Sequence, residues 1–221
     1  MRFLKITFTI IGFFILSQIK AQDTTNSNII KPPVTIEFLA GNSRLFSQLI
    51  LNRSITKNQT FGLLNVSSFA ANYENNGSNN EYFSFSALNY RIGNGFSVNA
   101  GGTFNTAEGL KPLLGMQYTY SNKELLIIYL PAYYYLHSRK IFNLILLEYR
   151  LKITNKWSSY SRLQANYQYD FEISSHFRSY LYLRLGATYK NITFGAGTNL
   201  DQYGPNKAFK ENYGAFIKLN L

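Results

Sequence analysis

The chain has 221 residues, no cysteine and a formal charge of +11, and its composition includes 18 Tyr and 18 Phe. Without cysteine it can form no disulfide and offers no thiol for lipid attachment, so its stability must come from hydrogen bonding and burial. The basic excess would suit nucleic acid, but the export leader at the start of the chain argues against that partner and favours anionic lipid headgroups or anionic solutes.

The first stretch, "MRFLKITFTIIGFFILSQIKAQ", places Arg2 and Lys5 ahead of an apolar run from Ile6 to Leu16 and ends on the small residue Ala21. This layout predicts a signal peptide cleaved after Ala21. The apolar run is too short for a spanning helix, which needs about 20 residues. Cleavage removes Arg2, Lys5 and Lys20 and lowers the charge by three. Residues 22–33 read as a flexible lead-in, and residues 34–221 as one domain with no second unit.

From residue 34 onward, period-two alternation and turn residues predict strands over 34–41, 45–53, 60–72, 82–91, 96–104, 112–120, 124–135, 141–153, 157–170, 177–189, 192–200 and 212–221. The connections alternate. Short turns such as "GNG" at 93–95, "SNK" at 121–123, "TNK" at 154–156 and "KN" at 190–191 interleave with longer polar segments such as 73–81 and 201–211. An even number of strands of about ten residues, with short turns on one rim and longer loops on the other, is the pattern of a membrane barrel. The longest apolar run after the leader, "LLIIYLPAYYYL" from Leu125 to Leu136, is interrupted by Pro131 and is too short to span as a helix.

The stretch "SRLQANYQYDF" at 161–171 shows the alternation most clearly, with Arg162, Gln164, Asn166, Gln168 and Asp170 on one face and Leu163, Ala165, Tyr167, Tyr169 and Phe171 on the other. In a membrane barrel the apolar set faces lipid and the polar set faces the lumen. Aromatics at both ends of the apolar parity choose that arrangement over a soluble barrel: Trp157 and Phe171, Phe177 and Tyr189, and Phe96 and Phe104. Such rings settle at the two headgroup levels. Closure of the sheet follows, because unpaired backbone groups in hydrocarbon cost several kcal/mol each.

The last segment, "NYGAFIKLNL", puts Tyr213, Ala215, Ile217, Leu219 and Leu221 on one face. It resembles the C-terminal assembly signal of bacterial outer-membrane proteins, and the Asn- and Tyr-rich barrel resembles small outer-membrane proteins of Bacteroidota. The resemblance covers the mature chain at the level of the class. It implies an all-β fold, a transmembrane antiparallel up-and-down barrel of about twelve strands, in the outer membrane of a Gram-negative bacterium. Its implied partners are outer-membrane lipid and the barrel assembly machinery, the latter through the last strand.

Inside the barrel, the hairpin about 154–156 predicts a cross-strand ion pair between Glu148 and Arg162, and Asp170 is expected near Arg178. Arg150, Lys152 and Arg184 are left with no obvious acidic neighbour. Two readings stand: an internal polar network that rigidifies a narrow barrel, or a basic constriction favouring anions. Gln164, Asn166, Tyr180 and Tyr182 share this lumen face. Ala132, Tyr134, Leu136, Phe142, Leu144 and Leu146 fall on the same parity as a second, apolar lumen patch, either a packed plug or a greasy pocket for an amphipathic ligand. Pro131 lacks a ladder donor and predicts a bulge or a weak seam.

Enzyme chemistry has little support in the sequence. Ser174 precedes His176 by two, the reverse of the order in outer-membrane lipid hydrolases, and His137 and Ser138 are adjacent and face opposite ways. Both histidines read as solvated loop residues. No cluster of metal-ligand residues occurs, and "GAGTNLDQYG" lacks the ending of a phosphate loop. The expectation is therefore a passive channel or small-solute transporter with no cofactor, admitting a small anionic or amphipathic solute. Its rival is a non-conducting barrel that binds a lipidic ligand or an envelope protein.

Overall fold

The computed structural model describes residues 34–221 apart from 75–76, 78–79 and 137–138. The leader, the lead-in at 22–33 and His137 with Ser138 lie outside the described residues. Twelve strands follow in chain order: β1 (Thr35–Gly41), β2 (Arg44–Ser54), β3 (Phe61–Asn72), β4 (Glu81–Gly93), β5 (Phe96–Asn105), β6 (Gly109–Ser121), β7 (Leu125–Tyr134), β8 (Lys140–Tyr149), β9 (Trp157–Asp170), β10 (Ser175–Tyr189), β11 (Ile192–Tyr203) and β12 (Ala208–Asn220). Each pairs antiparallel with its chain neighbours, and β1 pairs with β12 from Thr35↔Asn220 to Gly41↔Gly214, closing the barrel. No free edge remains, which is what a sheet surrounded by hydrocarbon requires.

The alternation resolves into an outer wall of apolar side chains and an inner wall that is densely buried. On β10, Leu185 is 67 % exposed while its neighbour Arg184 is 1 % exposed. On β9 the inward residues Tyr160, Arg162, Gln164, Asn166, Gln168 and Asp170 are all buried. Exposed aromatics gather at both rims of the outer wall. Toward the rim that carries the chain ends, Phe61 meets Tyr90, Phe96 meets Tyr118, and Trp157 meets Tyr189 and Phe194. Toward the opposite rim Tyr82 meets Phe104, and Tyr133, Tyr167, Phe171 and Tyr213 are exposed.

Four sequence expectations need correction. The contrast between short turns and long loops is weak: β11 and β12 keep pairing through Tyr203↔Ala208, so the expected loop at 201–211 shrinks to 204–207. β8 ends at Tyr149, short of 153, and beyond it Lys152 makes an isolated bridge to Ser158. At Pro131 no register shift occurs. Only the bulge fails, since the weakened seam is present: the β6–β7 pairing skips from Gly115↔Ala132 to Tyr118↔Tyr129, because the proline carbonyl faces β6 and the ring removes the donor on that side. The fourth concerns Phe177, expected among the outer aromatics. The register of β10 against β9 shifts between His176 and Arg178, and the Phe177 ring turns to Lys140, whose ammonium lies 3.4 Å from its centroid.

Candidate functional site

The interior has two unlike sides. From β3 to β8 the inward side chains are mostly apolar: Leu64, Val66, Phe83, Phe85, Leu113, Ile128, Leu130, Ala132, Phe142, Leu144 and Leu146 are buried. From β9 round to β2 most are polar or charged, with Leu39, Phe46, Ile50 and Phe216 among them, and the charges collect in two hubs, one near each rim.

The hub nearer the chain ends is built on Glu37 and Glu148. Glu37 accepts from Arg162 Nη2 and Arg184 Nε, each at 2.8 Å. Arg184 reaches β1 because it lies flat across Gly197 of β11. A Cβ at that glycine would stand 2.6 Å from Arg184 Cδ. The rest of the guanidinium donates to the carbonyls of Leu183 and Thr198 and to Asn199 Oδ1. Glu148 accepts from Lys218 Nζ and Tyr160 OH, both at 2.8 Å, and from Arg150. Two carboxylates thus face four cations, Arg150, Arg162, Arg184 and Lys218. Arg162 Nε and Nη1 are buried with no hydrogen-bond partner among the described residues.

The second hub is built on Asp201 and Glu81. Asp201 accepts from Arg44 Nη2 at 2.6 Å, Tyr182 OH at 3.1 Å and Arg178 Nη2 at 3.4 Å. Glu81 accepts from Arg44, Lys210 and Tyr203. Near the same rim Lys140 bridges Glu108 and Asp170. Between the hubs the lumen is packed. Phe85 stacks on Phe142 with centroids 5.3 Å apart, Phe46 meets Tyr182 edge-on at 5.2 Å, and Gln164 donates to Tyr180 OH. Beneath the Arg44 hub a cavity of about 10 Å³ lined by Arg44, Phe46, Phe83 and Tyr182 has room for about one water.

The lumen residues expected from the sequence are therefore brought together, but not in the expected pairs. Glu148 stands opposite Arg162 in register, yet Arg162 gives its hydrogen bond across the lumen to Glu37. Asp170 is held by Lys140, and Arg178 turns to Asp201. Of the three cations expected to lack an acid, Arg150 holds Glu148 and Arg184 holds Glu37, while Lys152 is exposed beyond β8. In the apolar set Leu136 is the exception. It lies past the end of β7 and is 46 % exposed, because the chain has left the ladder. His176 is not a solvated loop residue: it belongs to β10 and is buried.

The sequence reading missed Glu37, Arg44, Glu81, Asp201 and Lys218. The inward parity of Glu37 and Lys218 was available in the alternation, whereas Arg44, Glu81 and Asp201 lay just beyond the expected strand ends. Their partners were not, because β1 meets β9 and β10, β2 meets β11, and β8 meets β12 only across the closed lumen. Among the described residues no group of three His, Cys, Asp or Glu is arranged to hold a metal.

No protein-family model and no curated protein matches the chain. Among solved structures it is similar to a KdgM porin, at 10 % identity over 85 % of this chain and 98 % of that one, with a TM-score of 0.47. It is also similar to a NanC porin, at 12 % identity over 86 % of this chain and 100 % of that one, with a TM-score of 0.46. A KdgM porin in complex with disordered oligogalacturonate matches at 11 % identity over 85 % of this chain and 98 % of that one, with a TM-score of 0.45. At these identities and scores the likeness extends to no individual residue, and what the interior does must follow from its own side chains.

Proposed function

We propose that the chain is a small porin-like barrel of the outer membrane whose lumen is closed at rest by its own side chains and admits small anionic solutes when the cross-lumen contacts part. The observation that carries the membrane placement is the inversion of polarity, with Leu185 and its outward neighbours exposed while Arg184, Gln164 and Lys218 are sealed inside. A soluble barrel would bury the leucines and expose the charges. Dimensions support it: Trp157 to Phe171 spans about 46 Å of strand, or about 35 Å along the axis at a tilt of about 40°, enough for the apolar band and both aromatic girdles.

The anion preference rests on the cation excess around Glu37 and Glu148 and on the unpartnered guanidinium donors of Arg162. One observation favours a second reading, a barrel that does not conduct. The Phe85–Phe142 stack and the fully buried leucines around it fill the middle of the lumen. Recording from purified protein in planar bilayers separates the two. The channel reading expects brief stepwise currents with anion preference, lengthened by Phe142→Ala. A membrane that stays silent with both proteins removes the channel and leaves the sealed barrel.

A further inference from the structure

The register shift in β10 has a chemical result on the outer wall. Arg178 stands opposite inward Gln168, whereas His176, on the far side of the shift, stands opposite outward Tyr169. His176 thereby joins Ser179, Tyr167 and Gln202 on the lipid side, with Ser179 in register with both Tyr167 and Gln202. The imidazole is only 6 % exposed, and its ring centroid is 5.8 Å from that of Tyr167.

Both ring nitrogens are engaged. Nδ1 is 2.8 Å from the Gly204 carbonyl oxygen and Nε2 is 3.0 Å from Ser179 Oγ. A carbonyl only accepts, so Nδ1 carries the proton of the neutral ring, Nε2 is left as an acceptor, and the Ser179 hydroxyl donates to it. Gln202 Oε1 lies 3.3 Å from Ser179 Oγ, so the hydroxyl proton has two acceptors, and the shorter contact is the one to His176. A hydroxyl, a base within reach and a third group fixing the base's tautomer are the parts of an activated nucleophile.

The level of the pair selects a substrate. Ser179 sits beside Tyr167 in the ring of exposed aromatics that also holds Tyr133, Phe171 and Tyr213, the height at which amphipathic rings meet lipid headgroups. Below it on the same wall, a hollow of about 250 Å³ is lined by Leu125, Leu147, Tyr149, Leu163, Leu183 and Leu185, with Glu148, Ser161, Arg162 and Arg184 also contributing. Leu183 is about 13 Å down the strand from Ser179. One leaflet's tails extend about 15 Å. An ester at Ser179 can therefore lay its acyl chain down the wall to the hollow.

We propose that Ser179 and His176 form a pair that cleaves acyl esters of membrane lipid on the outer face of the barrel. His176 Nε2 takes the hydroxyl proton as Ser179 Oγ bonds to the ester carbonyl carbon. The carbon–oxygen bond to the leaving alkoxide breaks, and the alkoxide takes the proton from His176. Water then attacks the acyl-serine with His176 as base, releasing a carboxylic acid and restoring the hydroxyl. This activity depends on the membrane placement of the barrel but not on conductance.

The test uses the full chain folded in vesicles of phosphatidylethanolamine and phosphatidylglycerol, with lipid A vesicles as a second arm. A fluorophosphonate probe, mapped by mass spectrometry, should label Ser179, and one of the two arms should release fatty acid, which identifies the source of the ester. Ser179→Ala should abolish labelling at that position. His176→Gln should lower both labelling and release by at least about a hundredfold, while the unboiled protein still migrates as a folded barrel. Wild-type protein that migrates as a folded barrel yet takes no label and releases no fatty acid from either lipid overturns the proposal. Labelling without release from either arm overturns the lipid substrate. A reactive but electrically silent barrel leaves the pair standing and removes only the channel.

Discussion

Replacing Glu37 with glutamine tests the hub that joins β1 to β9 and β10. The amide keeps the shape of the side chain but removes the charge that receives Arg162 Nη2 and Arg184 Nε, each at 2.8 Å, in a site where Glu37 is 1 % exposed. Four cations would then share Glu148 alone. Breaking a buried pair by neutralising one partner costs about 3–5 kcal/mol. The two lost contacts do not simply add, since Arg184 keeps Asn199 and two carbonyls. The expected loss is therefore about 4 kcal/mol, a fall of about a thousandfold in the folding equilibrium. Urea titration of the barrel folded in vesicles provides the measurement. It can be followed by unboiled gel mobility and by the fluorescence of Trp157, the single tryptophan, which packs against Tyr189 and Phe194 at the rim. A loss below about 1 kcal/mol, the worth of a solvent-exposed pair, would show that water fills the lumen around Glu37 and would refute the sealed interior. Adding Arg162→Gln to the same protein should recover part of the loss, since it removes a buried charge left without its partner.

Three other outcomes follow from the same geometry. Leu163→Arg, in mid-wall on the outer face, should cost about 2–4 kcal/mol of stability in vesicles; equal stability would place that face in water. Gly197→Ala drives a methyl group into Arg184 Cδ and should destabilise by about 1–3 kcal/mol in the urea titration, and no change would mean that Arg184 does not lie across β11. Pro131→Ala returns a donor to the side facing β6 and should stabilise by about 0.5–1.5 kcal/mol, with slower hydrogen exchange at Met116, which lies opposite in the gap. Unaltered exchange there would separate the ladder gap from the proline.

The strand order, the inward parity and the closed barrel were legible because a period of two is a local property, repeated in every strand and punctuated by turns such as Asn94–Gly95, where both residues have positive φ. The end of β8 was not legible. The alternation of Glu148, Arg150 and Lys152 runs on past the point where the chain leaves the ladder, so the pattern overshoots the pairing. Ion-pair partners were missed for a different reason. Hairpin register relates only adjacent strands, whereas Glu37 meets Arg162 and Lys218 meets Glu148 through the lumen, at a height fixed by the stagger of the whole ring. The Ser179–His176 contact escaped because a bulge carries no sequence mark here. The alternation left the histidine in a loop ahead of a strand starting at 177, and one extra residue in that strand sets it on the outer face.

The joint between β1 and β12 has a consequence for assembly. Glu37 sits on the first strand, while its arginines sit on the ninth and tenth, and Arg44 of the second strand holds Asp201 of the eleventh. The β10–β11 hairpin gives Arg184 its contact with Asn199 and Asp201 its contacts with Arg178 and Tyr182, but Glu37 lacks Arg162 and Arg184, and Arg44 lacks Asp201, for as long as the two ends of the sheet are apart. Only when the last strand meets the first does water leave them and the clasp snap shut, so the final stitch, rather than any earlier one, commits the chain to its finished form.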